Sequence, residues 1–307
     1  MDSQSQALLT AQQGVIGAVQ LTALGISADE VGRWVDRGEL VRVRRGAYAD
    51  ASVWTVAGRD ERYRLSVAAT MRSRSRSEVA THHSALALHG LPLWHVDRGL
   101  VVLMADVQET TTTSGLRVMP LRALVARVEL DGLNTLAVAD AIVTSSSVSV
   151  EAGVVAGDAA LHDGRCSLGD LQAAARRLRR GLRGTARLRR ALASLDPAAE
   201  SPGESRTRLV LQALGLPLQS QASVRDERGE LVGRVDFLVA GRVVVEFDGA
   251  LKYRGDDGPA VVLAEKLRED RLRELGYEVV RLTWDELAHP ERILARIRAA
   301  LGRTRAA

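Results

Sequence analysis

Residues 233–253 read GRVDFLVAGRVVVEFDGALKY and decide the fold of the C-terminal third of the chain. Two β-rich runs, Leu231–Val239 and residues 242–247, flank Ala240-Gly241, a pattern typical of a tight hairpin. A loop over residues 240–242 pairs Val239 with Val243 and puts Asp236 opposite Glu246, with their Cβ atoms about 5 Å apart. Asp248 follows on the face of Glu246, because side chains alternate along a strand.

Three carboxylates on an otherwise apolar pair of strands lose hydration unless a positive charge lies among them. Oxygen ligands of this kind suit Mg²⁺ or Mn²⁺, which keep several waters and leave positions open for a phosphate. We therefore predict a metal site formed by Asp236, Glu246 and Asp248. The alternative is that these acids are solvated or paired with arginine on an exposed face, as carboxylates on a sheet often are.

The neighbouring segments predict the rest of this domain. Residues 204–214 have a helical pattern that begins after Pro202-Gly203 and ends at a Gly-Leu-Pro sequence. After the hairpin, residues 260–275 have helical periodicity up to Gly276, and residues 277–283, YEVVRLT, are typical of a strand. The predicted order is helix, three-strand meander, helix and strand.

This segment resembles the nuclease-like domains of unknown function (DUF559 type) that are related to the very-short-patch mismatch repair endonucleases, within the restriction-endonuclease-like PD-(D/E)XK fold. The residues that carry the resemblance are ESRTRLVLQALGLP at 204–217, GRVDFLV at 233–239, VVVEFDG at 243–249 and EKLREDRLRELGYEVVRLTWDEL at 265–287. The resemblance implies a metal-dependent DNA endonuclease. It also implies that Asp236 and Glu246 are metal ligands and that Glu204 reaches in from the preceding helix.

The chain departs from the family pattern at the catalytic lysine. The family has a lysine two residues after the second acid, where this chain has Asp248, and the chain contains only two lysines, Lys252 and Lys266. An ammonium group is a compact charge that can stabilise a pentavalent phosphate. We predict that Lys266, or else Lys252, takes this role. The alternative is that both are ordinary surface lysines.

The N-terminal residues predict a winged helix-turn-helix. Helical patterns cover residues 4–13, 18–24 and 27–37, with Ser27 as the cap of the third helix, and LVRVRRGAY at 40–48 predicts a basic β-wing. In such a motif the third helix enters the major groove and the wing meets phosphates. The predicted DNA contacts are Arg33 and Arg37 on the helix and Arg42, Arg44 and Arg45 on the wing.

The stretch QLTALGISADEVGRWVDRGELVRVRRGAYA, residues 20–49, resembles the N-terminal winged-helix domain of the AbiEi abortive-infection antitoxin family of type IV toxin–antitoxin systems. The resemblance implies binding to DNA or to a toxin or other protein partner. The alternative is that the winged helix only packs against the rest of the chain or contacts protein, because winged helices are used for DNA binding and for protein contacts.

The middle of the chain predicts a mixed α/β region with helices over residues 59–71, 78–88, 134–144 and 150–161, strands over 99–104 and 116–120, and turns at the Ser/Thr runs 110–114 and 144–149. His82, His83 and His89 are candidate ligands, but no acid lies at ligand spacing, and packing is the favoured interpretation.

Residues 170–195 predict two basic helices broken at Gly181 and Gly184, whose arginines, including Arg179 and Arg183, would follow a phosphate backbone. The alternative there is a solvated helix face.

Composition limits the function classes. The 307 residues are 46% hydrophobic and 3% aromatic with a net charge of +4, and the single Cys166 excludes an internal disulfide and a cysteine-based zinc site. The absence of a signal peptide and of a long apolar run predicts a cytoplasmic protein with no membrane partner. We predict an α/β (α+β) chain with a winged helix at 1–52, a mixed α/β region at 53–195 and a nuclease-like domain at 203–303.

The function predicted from these features is a metal-dependent DNA endonuclease, in DNA repair or phage defence, that uses Mg²⁺ or Mn²⁺. The alternative is a DNA-binding transcriptional regulator or antitoxin whose nuclease-like domain is degenerate. The missing lysine at position 248 favours the alternative, and the intact acids at 236 and 246 favour the nuclease.

Overall fold

The computed structural model describes residues 1–74, 77–121, 124–179, 182–249 and 258–304, with backbone only for 258–263. The chain divides into two compact units, Met1–Ala193 and Ser194–Ala307, which we call unit 1 and unit 2. Both combine helices with sheets, so the predicted mixed α/β class is confirmed. Among the described residues, no helix has the length and apolar composition needed to cross a bilayer.

Unit 1 begins with the winged helix. Its elements are α1 (Ser3–Ala11), β1 (Val15–Gly17), α2 (Ala18–Ala23), α3 (Ala28–Asp36), β2 (Leu40–Arg44) and β3 (Ala47–Asp50). The sheet order is β1-β3-β2, and both pairings are antiparallel. Strand β1 was predicted as a break. It pairs with β3 because Gly14 turns the chain at φ +82° and lets Val15 and Ile16 enter the core.

The rest of unit 1 packs helices against a mixed sheet of order β6-β7-β5-β4-β9-β8. Its elements are α4 (Ala51–Val56), α5 (Arg59–Arg72), β4 (Val79–Ala80), α6 (His82–Leu88), β5 (Val101–Ala105), β6 (Thr111–Thr113), β7 (Leu116–Pro120), β8 (Arg127–Leu130), β9 (Leu133–Leu136), α7 (Val138–Val148), α8 (Val150–His162), α9 (Leu168–Leu178) and α10 (Thr185–Ala193). The predicted helices over 59–71 and 150–161 and the strands over 99–104 and 116–120 are present, with shifted ends.

Several predictions in this region are wrong in part. Residues 134–144 begin as strand β9 because Asp131 and Gly132, both at positive φ, form a tight β8–β9 hairpin. Residues 79–80 of the predicted helix 78–88 form β4, and the Thr run contributes strand β6.

The Ser/Thr run at 144–149 is mostly helical rather than a turn. The hydroxyls of Thr144, Ser146 and Ser147 donate to carbonyls one turn back, as Ser146 Oγ does to Ile142 O at 2.7 Å. The small side chains also let α8 approach, since a Cβ on Gly153 would lie 2.0 Å from Ser146 Oγ.

Unit 2 has the predicted order of helix, three strands, helix and strand. Its elements are α11 (Pro202–Ala213), β10 (Leu218–Arg225), β11 (Leu231–Val239), β12 (Val243–Phe247), α12 (Gly258–Glu274), β13 (Glu278–Leu282), a 3₁₀ turn (Glu286–Ala288) and α13 (Pro290–Arg303). The sheet order is β10-β11-β12-β13, with β13 parallel to β12. An apolar core that includes Phe237, Val245 and Ile297 is shared by the sheet, α11 and α13, while Val244 belongs to a second core with Leu272 of α12.

Candidate functional sites

Helix α3 is the candidate recognition helix of the winged helix. Ser27 caps its first turn, with Ser27 Oγ accepting a hydrogen bond from the Glu30 amide at 3.2 Å. Val31 and Trp34 are buried against Leu40 and Tyr48 of the sheet, so the opposite face of the helix is left to solvent. That arrangement is the one a groove-reading helix requires.

The exposed face of α3 is not strongly basic. Arg33 is exposed, but Asp29 and Asp36 are exposed on the same helix. Arg37, directly after the helix, donates from Nε to Glu39 Oε1 at 2.7 Å. Of the two arginines predicted to contact DNA here, Arg37 is therefore held in an ion pair within the chain, whereas Arg33 is exposed to solvent.

The three wing arginines fall into two groups. Arg42 and Arg45 are exposed, and Arg42 also lies over the Tyr48 ring, 5.9 Å from its centroid. Arg44 is half-buried and donates to the carbonyl oxygens of Ser114 and Gly115 at 3.2 and 3.3 Å. Burial, together with the charge of Arg74, lowers the pKa of Arg44. The wing therefore presents Arg42 and Arg45 to solvent, while Arg44 ties it to the β6–β7 hairpin.

The winged helix packs against the rest of unit 1 through helix α5. A Cβ on Gly17 of β1 would lie 2.2 Å from the Arg72 carbonyl oxygen, so the two backbones touch where only glycine fits. The Arg64 guanidinium of α5 donates to Gln13 Oε1 at 2.9 Å. The predicted alternative, packing against the chain, is thus part of the structure, and it leaves the outer face of α3 and the wing tip exposed.

The basic helices α9 and α10 expose most of their described arginines. Leu171, Leu178 and Leu188 face inward, whereas Arg179 and Arg183 are exposed. Arg177 is engaged: its Nη2 lies 2.5 Å from Oδ2 of the buried Asp140. The predicted break at Gly181 lies outside the described residues, and Gly184 takes a positive φ of 83°.

The histidines of the middle region have structural roles. His89 Nε2 is bonded to Leu136 O at 2.7 Å, and His83 Nε2 lies 3.0 Å from Leu100 O and stacks on Tyr63. Burial lowers the pKa of both His83 and His89, which favours the neutral form. The packing interpretation accounts for both rings.

In unit 2, strands β11 and β12 form the predicted hairpin in the predicted register. Val239 pairs with Val243, Leu238 with Val244 and Phe237 with Val245, so Asp236 and Glu246 come next on the two strands. Asp236 Oδ2 accepts a hydrogen bond from the Phe247 amide at 2.8 Å. Glu246 is buried, with 7% of its surface exposed. The two acids are therefore neighbours on the sheet, as the sequence predicts.

The positive charge beside Glu246 comes from arginine. Arg268 of α12 places Nη2 2.7 Å from Glu246 Oε1, and Arg281, the residue paired with Glu246 on β13, places Nη2 3.3 Å from Oε2. Both carboxylate oxygens thus have a guanidinium partner. Hydrogen bonds of this charge-assisted kind are the strong ones in proteins.

Two further glutamates on α12 extend this group. Glu265 Oε1 lies 2.7 Å from Nη2 of both Arg268 and Arg281, and Glu269 Oε2 lies 3.0 Å from Arg281 Nη2. We call Glu246, Glu265, Arg268, Glu269 and Arg281 the arginine–glutamate cluster.

The electrostatics of the arginine–glutamate cluster follow from these contacts. The hydrogen bond from Arg268 lowers the pKa of Glu265 to about 2, against the opposite effect of partial burial. Burial alone would lower the pKa of Arg281, but its hydrogen bonds to Glu265 and Glu269 raise the pKa above its ordinary value. The Glu265 carboxylate and the Arg281 guanidinium are therefore held in their charged forms.

The other predicted catalytic residues lie apart from this cluster. Glu204 is engaged at the start of α11: its Oε1 accepts from Ser201 Oγ at 2.7 Å, and its Oε2 accepts from the Glu200 amide at 2.9 Å and from Gln221 Nε2 at 2.8 Å. Asp248 is half-buried just after β12. Lys266 is exposed on α12, whose residues Glu265, Arg268 and Leu272 face the sheet, and Lys252 lies outside the described residues.

The arrangement does not fit a divalent metal ion held by the predicted ligands. The oxygens of Glu246 are engaged by two arginines, and Glu204 is engaged by its cap. Within the described ranges, no group of three or more His, Cys, Asp or Glu side chains is arranged to hold a metal. Glu246 instead has two arginines as partners, and pairing with arginine is the alternative that the sequence left open for these acids.

Comparison with known proteins gives one family match and two relatives. Residues 4–49 match a known family. Its description reads "Transcriptional regulator, AbiEi antitoxin", and the matched residues cover α1 through most of β3. The AbiEi match thus falls on the winged helix, where the wing arginines lie.

The relatives are the Uncharacterized protein MT2308 of Mycobacterium tuberculosis strain CDC 1551 / Oshkosh and the Uncharacterized protein Rv2248 of strain ATCC 25618 / H37Rv. Each is 37% identical over 153 residues, which are 49% of this chain and 55% of the relative. The chain therefore spans about half the length of the curated relatives it matches.

Sequence reasoning placed the acids and the AbiEi-like segment but missed the partners of the acids. Glu265, Arg268 and Glu269 recur at helical spacing on the side of α12 that carries Leu272, which marks them as inward-facing. Arg281 interrupts an apolar strand at the level of Glu246. Those two signals, taken together, predict an ion-pair cluster at this sheet.

Proposed function

We propose that this chain is a DNA-binding regulator of the antitoxin type that contacts DNA through its winged helix. The observation that carries the proposal is the wing itself. Arg42 and Arg45 are exposed on it, and residues 4–49, which contain the wing, match a family of transcriptional regulators. Phosphate contacts of this kind orient a winged helix on the duplex without reading sequence.

In this proposal the wing and the helix have separate roles. Arg42 and Arg45 neutralise phosphates and release counterions, so binding weakens steeply as salt rises. Arg33, exposed on α3, reaches toward the major groove. Asp29 and Asp36 on the same helix weaken its non-specific attraction to the DNA phosphates. Most of the non-specific binding free energy then comes from the wing.

The exposed arginines of α9 and α10 give the same unit a second basic surface. Arg179 and Arg183 lie on it. We include this surface as an auxiliary phosphate contact, whose loss would lower affinity and the salt dependence together. A toxin or other protein partner stays a prediction.

We do not extend the proposal to phosphodiester hydrolysis. The register of Asp236 and Glu246 favours a nuclease ancestry for the site, but the Glu246 oxygens are bonded to Arg268 and Arg281. Endonuclease activity with Mg²⁺ or Mn²⁺ therefore stays a prediction, and a cleavage assay tests it.

The binding experiment uses fluorescence anisotropy of a labelled mixed-sequence duplex of about 30 base pairs, roughly three helical turns. The wild-type chain is compared with the Arg42→Ala/Arg45→Ala double variant. We expect the double variant to bind about 10- to 100-fold more weakly near 0.1 M salt, with a slope of log affinity against log salt that is smaller by about 2.

The matched control is Arg228→Ala, which removes one exposed arginine from a turn in unit 2. It should leave both the affinity and the salt slope close to the wild-type values. Equal binding by the wild type and the wing variant would contradict the proposal.

A further inference from the structure

We infer that Arg268 and Arg281 serve as built-in counter-cations at the acidic strand pair of unit 2, in the place where a divalent metal ion would otherwise be needed. The inference concerns unit 2 and does not rest on the DNA-binding role of the winged helix. It follows from contacts among five side chains of α12, β12 and β13.

The first step is the occupation of the buried carboxylate. Glu246 is the least exposed acid of the cluster, with 7% of its surface accessible, and each of its oxygens faces a guanidinium at 2.7 or 3.3 Å. A divalent ion that bound these oxygens would have to displace at least one arginine. The two guanidinium groups would also repel a metal ion added beside Glu246, because like charges repel strongly in a buried site of low dielectric constant.

The second step is that the arginines themselves are held in place. Arg268 donates from Nη1 to the Arg234 carbonyl oxygen at 3.2 Å and from Nε to Glu265 Oε2 at 3.1 Å. Arg281 is held by Glu265 and Glu269 on α12. Each guanidinium therefore has partners besides Glu246, and moving either one would also break its contacts with other oxygens of unit 2.

The third step is the number of cation partners. Arg273 adds a third guanidinium to the two of the cluster, since its Nη2 lies 2.5 Å from Glu269 Oε1. Each of the three carboxylates of the cluster thus has two guanidinium partners without an added ion. Arginine suits this role because its planar guanidinium can bridge two carboxylates at once.

The experiment measures Mn²⁺ binding by electron paramagnetic resonance on the full chain, with free Mn²⁺ titrated from micromolar to millimolar concentrations. The proteins are the wild type, Glu246→Gln, Arg268→Ala/Arg281→Ala, the same double variant with Glu246→Gln added, and Arg271→Ala. Arg271 is the matched control, because it lies on α12 but pairs with Glu274 and Asp226. Circular dichroism establishes that each variant is folded.

We expect the wild type and Arg271→Ala to bind no Mn²⁺ at the strand pair. The double arginine variant should gain a site at least about tenfold tighter than any wild-type binding, because the freed carboxylates then lack a cation. Glu246→Gln should remove that gained site.

Two results would overturn the inference. One is wild-type Mn²⁺ binding that disappears in Glu246→Gln, since a metal would then coexist with both arginines. The other is a folded double variant that gains no Mn²⁺ site, since the arginines would then not be what excludes the ion. The wild-type measurement decides the first point even when a variant does not fold.

Discussion

The wing of unit 1 and the acidic strand pair of unit 2 both depend on arginine, but they use it in opposite ways. Arg42 and Arg45 extend into solvent, where a phosphate backbone can reach them. Arg268 and Arg281 are bonded to carboxylates of their own unit. The same side chain is an interaction group in the first setting and an internal counter-ion in the second, and what decides between them is whether a carboxylate lies within reach.

Arg44 is also engaged within unit 1, but by backbone carbonyls rather than by carboxylates. It lies in the strand that carries Arg42, yet it is half-buried and bonded to two carbonyl oxygens of the β6–β7 hairpin. A count of basic residues in LVRVRRGAY therefore overstates the positive charge that the wing exposes. Of the three predicted wing contacts, Arg42 and Arg45 are exposed to solvent.

The largest expected effect lies in unit 2. Arg268→Ala leaves Glu246 buried with one of its two guanidinium partners missing, and we expect a loss of about 3 kcal/mol in the stability of β12 and β13. Amide hydrogen exchange of these strands measures the loss. If their protection changes by less than about 0.5 kcal/mol, the typical effect of a surface substitution, then Arg268 is not a structural counter-ion.

A smaller effect is expected from pH. The pKa of Glu265 is held at about 2, below its ordinary 4.5, by the hydrogen bond from Arg268 and then by Arg281. A lowered pKa in the folded state means that the stabilisation is complete above pH 4.5 and is lost as the pH falls toward 2. Unit 2 should therefore lose stability through that window, and Glu265→Gln should make the loss shallower.

Because Glu265 is partly solvated, its contribution is about 1 kcal/mol or less. Urea unfolding followed at several pH values measures it. Glu274→Gln is the control, since Glu274 is an exposed α12 acid that pairs with Arg271, outside the arginine–glutamate cluster. If the two variants have the same pH dependence, the arginine–glutamate cluster does not account for the acid sensitivity of unit 2.

Local patterns predicted most of the fold. The alternation in residues 231–247 predicted the ends of β11, the ends of β12 to within one residue, and the register between the two strands. The Ser27 cap predicted where α3 begins. The predictions failed where a turn or a packing contact overrode the local pattern. The Asp131-Gly132 hairpin turned the first residues of the predicted helix over 134–144 into strand β9. The buried Ser/Thr run of α7 is mostly helical, and α8 packs closely on it.

The candidate site was predicted less completely than the fold, for a physical reason. The pairing of Asp236 with Glu246 follows from the hairpin, which is local. Arg268 lies on α12, 22 residues after Glu246, and Arg281 lies on β13, which runs parallel to β12. Contacts between elements that are distant in sequence depend on tertiary packing. The sequence indicated that either a metal ion or arginine accompanies these acids, but it was not used to identify Arg268 and Arg281 as the partners of Glu246.

The measurement that tests the account most directly is DNA binding and DNA integrity in the same samples, in EDTA and then in Mg²⁺ or Mn²⁺. Anisotropy gives the affinity of the labelled duplex, and a gel of the recovered DNA shows whether it was cut. The account predicts equal affinity with and without the metal ion, weaker binding by Arg42→Ala/Arg45→Ala in both, and intact DNA throughout. Metal-dependent cleavage that disappears in Asp236→Ala would contradict it and would establish the nuclease.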